Sequence, residues 1–337
     1  MMKEILGKLV EGKNLTKEEA MRAQELILTG QATQAQIAGF LTALRMKGET
    51  LDEITGLAAV LREKANTISP KVDNYIDFVG TGGDGTSTFN ISTTSALVVA
   101  AAGLPVAKHG NRSISSKSGA GDVLESLGVN ISADPAVVEK CVEDVGIGFM
   151  FAPNFNPSMK YVGPVRKEMG IRTVFNILGP LSNPSRAKAM LIGVYSPKLT
   201  EVIAGAIMNL GVERGFVVSG EDNMDELTLT GETTVSEIRD GNITTYTVTP
   251  EQFGLKRCKI DEIQGGDGKV NAKIAKDILS GKEQSAKRDI VLLNAGAALY
   301  IGGKVDSMKD GIVLAAQTID SGKAMQKLEA LVNATAN

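Results

Sequence analysis

The sequence predicts an α/β protein, with a small all-helical domain followed by a larger domain around a central, mostly parallel sheet. Three observations predict it. Residues 1–70 carry helix signals only. From about residue 74, short apolar runs alternate with helical patterns, which is the pattern of βαβ units. Two glycine-rich polar loops, at 80–93 and 108–119, each follow one of those apolar runs.

The first 70 residues contain three capping boxes: Thr16 with Glu19, Thr33 with Gln36, and Thr50 with Glu53. Gly12, Gly30 and Gly48 stand where helices should stop. Ile37, Phe40, Leu41 and Leu44 form an apolar stripe at helical spacing, so this bundle packs on the other lobe or on a second subunit. The expected division is 1–70 helical and 74–337 α/β, with part of 160–185 on the helical domain. Strands are expected at 75–79, 104–108, 147–151, 189–194 and 215–219. Helices are expected at 93–102, 118–127, 135–144, 160–169 and 198–210, with Asp134-Pro135 opening the third of these. Residues 233–248 read as a hairpin around Asp240-Gly241, and the tail from about 271 as helical. Gly265-Gly266-Asp267-Gly268 reads as a turn before a helix. The Gly/Pro/Asn-rich stretch 157–184 reads as a non-repetitive crossing segment.

Composition narrows the function. The 337 residues are 43% hydrophobic and 22% charged, which is ordinary for a globular chain with a large core. A net charge of −3 gives a nucleic-acid partner no global support. Two cysteines make no disulfide framework, and His109 is the only histidine. The start Met1-Met2-Lys3-Glu4-Ile5 lacks a signal-like apolar region, and no apolar run reaches spanning length. The expectation is a cytoplasmic protein with no membrane partner.

The two loops carry the chemistry. A right-handed crossover brings both to the carboxyl ends of parallel strands. The first, Gly80 to Thr93, offers bare backbone N–H groups and hydroxyls, and the second adds Lys108, Arg112 and Lys117. Together they suit a doubly phosphorylated small molecule. Gly80, Gly82 and Gly85 match a dinucleotide fingerprint, but a polar stretch separates Gly85 from the helix. The second strand also ends in Lys108-His109 where that fingerprint needs an acid. No Gly-Lys-Ser/Thr follows, so the Walker pattern fails too. A connecting turn is the bland alternative, and two converging loops, one of them basic, argue against it. After the 215–219 strand, Gly220-Glu221-Asp222-Asn223-Met224-Asp225-Glu226 gathers four carboxylates that suit Mg²⁺ beside a phosphate ligand. A solvated acidic turn is the alternative there.

These runs identify a resemblance. GTGGDGTSTFNIST at 80–93, KHGNRSISSKSG at 108–119, Arg166 in PVRKEMGIRTVFNILGPLSNP and Asp225-Glu226 in GEDNMDELTL resemble the anthranilate phosphoribosyltransferase family along nearly the whole chain. The resemblance implies a small helical domain and a larger α/β domain with a cleft between them, arranged as a homodimer. It implies transfer of the phosphoribosyl group from 5-phosphoribosyl 1-diphosphate to anthranilate in tryptophan biosynthesis, with Mg²⁺, two ions per monomer. It assigns the phosphoribosyl diphosphate to Gly80, Gly83, Asp84, Thr88, Asn90, Ile91, Ser92 and Thr93 in the first loop. In the second it assigns Lys108, His109, Gly110, Asn111, Arg112, Ser113, Ile114, Ser115 and Ser116, with Ala120 beyond. Ala120 stands where the family often has serine, so any contact there comes from backbone. Ser92, Asp225 and Glu226 would hold Mg²⁺, and Gly80, Asn111 and Arg166 the anthranilate. Asn156 and Ser219 stand where histidine is common, which bears on how the aromatic acid is steered.

The chemistry is coherent with one histidine. Lys108 and Arg112 are the expected catalytic residues, neutralising a departing diphosphate with Mg²⁺ and Lys117. An aryl amine needs no strong base. A pyrimidine nucleoside phosphorylase, with free phosphate as substrate, is the nearest alternative, and the Asp225-Glu226 pair speaks against it. A silent nucleic-acid-binding paralogue is the other, and the net charge speaks against that.

Overall fold

The computed structural model describes residues 1–113 and 117–336. Four helices lead the chain: α1 (Met2–Val10), α2 (Lys17–Leu28), α3 (Gln34–Lys47) and α4 (Leu51–Glu63). All three expected capping boxes form; at Thr16 the hydroxyl accepts from Glu19 N at 3.2 Å while Glu19 Oε2 accepts from Thr16 N at 3.0 Å. Glu53 does more than cap. It is fully buried, accepts from Leu15 N at 2.9 Å and pairs with Lys47 at 2.9 Å, so one carboxylate ties three parts of the bundle.

The α/β part runs β1 (Ile76–Gly80), α5 (Ile91–Ala101), β2 (Val106–Gly110), α6 (Ala120–Ser126), α7 (Pro135–Lys140), β3 (Ile147–Phe151), α8 (Ala152–Phe155), α9 (Gly163–Met169) and α10 (Phe175–Leu181). It continues through β4 (Ala189–Gly193), α11 (Thr200–Asn209), β5 (Arg214–Gly220), β6 (Thr233–Arg239), β7 (Asn242–Val248), α12 (Gly268–Leu279), α13 (Ala286–Ile301), α14 (Met308–Asp320) and α15 (Lys323–Thr335). The sheet order is β3-β2-β1-β4-β5-β6-β7. The first five strands are parallel, and β6 and β7 are antiparallel. The β6–β7 turn places Asp240 at φ 51 and Gly241 at φ 74, which the sequence pair Asp-Gly tolerates best.

Strand alternation divides the core. Ile76, Phe78, Val106, Phe149, Leu191 and Phe216 point to the face covered by α5 and the C-terminal helices. Val79, Met190, Ile192 and Val217 point the other way, into one apolar cluster shared with α1–α4, α9, α10 and α11. The helical bundle therefore shares one apolar core with the second face of the sheet, through helices that lie on it. Helix α9 meets α3, and both α10 and α11 meet α4.

Several expectations are corrected. Within the 157–184 stretch α9 matches the helix expected at 160–169, but the part read as irregular is more ordered: a 3₁₀ turn forms at Pro157–Tyr161, and α10 follows with Pro180 inside its last turn. Burial of Phe175, Ile177, Leu178 and Leu181 holds α10 despite its proline, so packing overrides propensity. The expected helix 135–144 becomes α7 followed by a π-helical turn, Cys141–Val145. Helix α12 starts at Gly268 because Asp267 caps it, accepting from Val270 N at 2.9 Å. No helix among the described residues is long and apolar enough to cross a membrane.

Candidate active site

The strand order reverses at β1, whose neighbours β2 and β4 lie on opposite sides. A crevice at the carboxyl ends of such strands is where open α/β sheets bind ligands. Asp225 packs into this one. A Cβ on Gly193 would lie 1.5 Å from the Asp225 carbonyl oxygen, and one on Gly80 would lie 2.3 Å from Asp225 Oδ2, so both strand ends must be glycine. Gly82 N donates to Asp225 Oδ2 at 2.6 Å, which folds the first loop over the acidic one.

Lys108 is not a loop residue. Strand β2 runs two residues further than expected, and Lys108 is 2% exposed within it. Alternation turns its side chain to the α5 face, where Nζ donates to the Phe78 carbonyl and, at 3.3 Å, to Ser92 Oγ. Burial lowers its pKa, and the charges of Asp77, Glu226 and Asp225 oppose that shift. Helix α5 opens at Ile91, earlier than expected, so Ser92 and Thr93 lie in its first turn. Ser92 N donates to Glu226 Oε1 at 3.1 Å. A lysine, a helix N-terminus and two carboxylates thus meet in one buried place.

The second loop is closed by a residue that sequence reasoning missed. Asp122 Oδ2 accepts from Ser113 N at 2.9 Å and from Gly119 N at 2.8 Å, clamping both ends of the loop to α6. Arg112 is exposed and forms two parallel bonds to Glu125, at 2.7 and 2.8 Å. The guanidinium expected to act on the diphosphate is thus paired here with a carboxylate thirteen residues on. Asn111 Oδ1 accepts from Arg112 N at 2.8 Å. A Cβ on Gly110 would meet the Phe149 ring at 2.9 Å and Ala120 Cβ at 3.3 Å, so Ala120 lines the strand end through a methyl. Ile114, Ser115 and Ser116 lie outside the described residues.

On the opposite face of β2 lies His109, 4% exposed. Its backbone N–H donates to Asp77 Oδ1 at 3.2 Å, and its Nε2 lies 3.1 Å from Asn156 Nδ2. Burial pushes its pKa down to about 4, against the bond to the Gly179 backbone, so the ring is neutral at neutral pH. Asn156 is itself buried, and Ser219 is buried with its Oγ unpartnered. Arg166 on α9 is half-buried, its guanidinium 5.5 Å from the Phe175 ring centroid. Burial alone lowers its pKa, with no carboxylate of the described residues set against it, so the surface ion pair that a short helix could have given is absent there. Arg172 donates to the Gly83 carbonyl and stacks 4.5 Å from the Tyr195 ring, while Arg45 of the helical bundle holds the Arg172 carbonyl at 2.7 Å.

Comparison with known proteins decides the family. Residues 3–65 match the family model for the glycosyl transferase family helical bundle domain, and residues 72–325 that for its a/b domain. Over 335 residues the chain is 56% identical to anthranilate phosphoribosyltransferase of Acetivibrio thermocellus, covering 99% of this chain and 97% of that one. The chain belongs to the anthranilate phosphoribosyltransferase family. The family member from Thermus thermophilus superposes with a TM-score of 0.94 at 43% identity, over 98% of this chain and 99% of that one. The Saccharomyces cerevisiae member in complex with PRPP and Mg superposes at 0.91 and 30% identity, over 99% and 98%. A further structure of the yeast protein is a complex with 4-fluoroanthranilate.

The residues present fit a hard cation. Glu226 Oε2 is buried with no hydrogen-bond partner. Asp225 is pushed up to about 7 by burial and by the charge of Asp84, and Glu226 is pushed up by burial and by Asp225. Mutually repelling, desolvated carboxylates are what a divalent ion relieves. Among the described residues no three His, Cys, Asp or Glu groups form a ready metal cage, so phosphate and water would complete the shell. Of the other first-loop positions, the Asp84 carboxylate accepts from Thr86, Thr88 bridges to Gln264, Ile91 is core, and Thr93 Oγ1 is buried without a partner.

Proposed function

We propose that this chain transfers the 5-phosphoribosyl group from 5-phosphoribosyl 1-diphosphate to the amine of anthranilate, yielding N-(5-phosphoribosyl)anthranilate and diphosphate for tryptophan biosynthesis. The observation that carries the reading is the convergence, at the strand-order reversal, of buried Lys108, the α5 N-terminus and the Asp225–Glu226 pair. The diphosphate lies against the α5 N-terminus and the two glycine-rich loops, where backbone N–H groups and Lys108 offset its charge. Ser92, Asp225 and Glu226 hold Mg²⁺, which when bound neutralises the leaving diphosphate.

Arg166, lacking a carboxylate partner among the described residues, takes the anthranilate carboxylate and aims the ortho amine at C1 of the ribose. The C–N bond forms as the C–O bond to diphosphate breaks, and the amine releases its proton. His109, neutral and buried, shapes this half without serving as a base. Two ions per monomer, a homodimer, a cytoplasmic location and the division at 1–70 and 74–337 belong to the same reading. The test is a coupled assay with anthranilate, phosphoribosyl diphosphate and Mg²⁺, set beside thymidine plus phosphate. Turnover in the second alone overturns the reading.

A further inference from the structure

We infer that Asn271, far along the chain from every residue assigned to substrate, is a positioning residue that sets the two phosphate loops against each other. The inference rests on the function proposed above and deepens it. Asn271 lies in the first turn of α12 and is 1% exposed. Its Oδ1 accepts from Gly266 N at 2.7 Å, and its Nδ2 donates to Asn90 Oδ1 at 2.9 Å. Asn90 stands at the N-cap of α5 but makes no capping bond with its side chain. An N-cap asparagine ordinarily does, and forgoing that bond has a cost. The Asn90 amide instead reaches the second loop: its Nδ2 donates to the Ser118 carbonyl at 3.2 Å, and its Oδ1 accepts from Ser118 Oγ at 3.2 Å.

One chain of amides therefore runs from α12 through the end of the first loop to the end of the second. The segment before Asn271 reinforces it. Thr88 bridges to Gln264, and Gly265 N donates to the Ser87 carbonyl at 3.0 Å. A Cβ on Gly265 would lie 2.6 Å from Phe89 Cα and 2.5 Å from Asn271 Oδ1, so this strap lies flush on the first loop only because it is glycine there. Both loops end at the same part-buried network, in which each amide engages both its oxygen and its nitrogen. Holding a diphosphate between two loops requires that fixed spacing before the ligand arrives. A C-terminal segment thus supplies the support for a site built by the first half of the α/β domain.

The test uses the full-length protein, with Asn271→Asp and Asn271→Ala. Asn271→Asp keeps the acceptor for Gly266 and removes the donor to Asn90; Asn271→Ala removes both. Calorimetry with phosphoribosyl diphosphate and Mg²⁺ should show about tenfold weaker binding in each, the effect of one or two lost hydrogen bonds. The KM for anthranilate should stay within about twofold, a split that general destabilisation does not produce. Folded variants that bind phosphoribosyl diphosphate as wild type does overturn the inference and leave the proposed function standing. Wild type that binds none overturns the proposed function itself. Should both variants fail to fold, hydrogen exchange on wild type decides: added phosphoribosyl diphosphate should slow the Gly265 and Gly266 amides together with the loops, and unchanged rates there overturn the inference.

Discussion

Strand β2 separates two halves of the site that are built in opposite ways. On the Lys108 face the charged groups are tied, the amine to Phe78 and Ser92, one Glu226 oxygen to Ser92, Asp225 to Gly82, and Asn90 to Ser118 and Asn271, while Glu226 Oε2 and Thr93 Oγ1 stay unpartnered. On the His109 face Arg166, the cation proposed to take the acceptor, has an aromatic neighbour and no carboxylate partner among the described residues. Asn156 and Ser219 each keep a buried oxygen unpartnered. A doubly charged ligand needs charges already in place, since reorganising them at the moment of reaction is costly. A flat aromatic acid needs one fork and room to enter. The preorganised half should therefore fail in turnover when broken, and the open half in affinity for one substrate.

The largest effect should come from Asp225→Asn with Glu226→Gln. Steady-state rates across a Mg²⁺ titration should fall on the order of a hundredfold or more, because several kcal/mol of charge stabilisation is removed. Near-normal rates at low Mg²⁺ would erase the contrast between the halves. Next is Lys108→Ala. Its amine is buried and donates to the Phe78 carbonyl and to Ser92 Oγ, so truncation should cost about 3 kcal/mol of stability by denaturant unfolding, and should weaken phosphoribosyl diphosphate as well. Arg112→Ala should leave unfolding near wild type, since its pair with Glu125 is exposed. Equal unfolding curves for the two variants would put Lys108 back on a loop.

Much of this is legible in the chain itself. The three capping boxes are local, three residues apart, and all three form. The parallel strands stand out as apolar runs, and the phosphate loops as glycines after them. What escapes depends on phase and distance. A lysine at the end of a strand reads as loop until the register shows two more residues of β2, and then alternation buries it. Glu125 meets Arg112 only because α6 starts at Ala120 and presents that position to the loop. Helix α10 contains Gly179 and Pro180, so its helicity comes from the bundle it packs against. Asn271 carries no local signal at all; its role exists only where α12 meets Asn90.

The acceptor half gives the next prediction. Arg166→Ala should raise the KM for anthranilate roughly ten- to a hundredfold, the value of a charge-assisted bond, and that for phosphoribosyl diphosphate far less. Arg166→Lys should restore little, because a point charge lacks the planar fork. Matching changes in both constants would make Arg166 part of the preorganised half.

The smallest effect is a difference in pH response. Burial holds His109 down to about 4, whereas an exposed histidine titrates near 6.5. A depressed pKa means that the unfolded chain gains a proton which the folded ring refuses. The contribution to stability is full above pH 6.5 and is lost as the pH falls toward 4. Asp77, pushed up to about 6 by burial, works in reverse: its contribution is full below 3.8 and lost as the pH rises through 6. Over the acid range the two oppose each other, which hides both in the wild-type curve. His109→Gln removes only the histidine, and the Asp77 bond to the backbone N–H of residue 109 survives the change. From about pH 7 to 5 the histidine should cost about 2 kcal/mol, at about 1.36 kcal/mol per unit of pKa difference. Wild type should therefore lose a few degrees more in Tm than His109→Gln over that interval. Parallel curves would mean that the folded ring gains its proton at the same pH as the unfolded one, and the His109 face would then not hold the ring neutral.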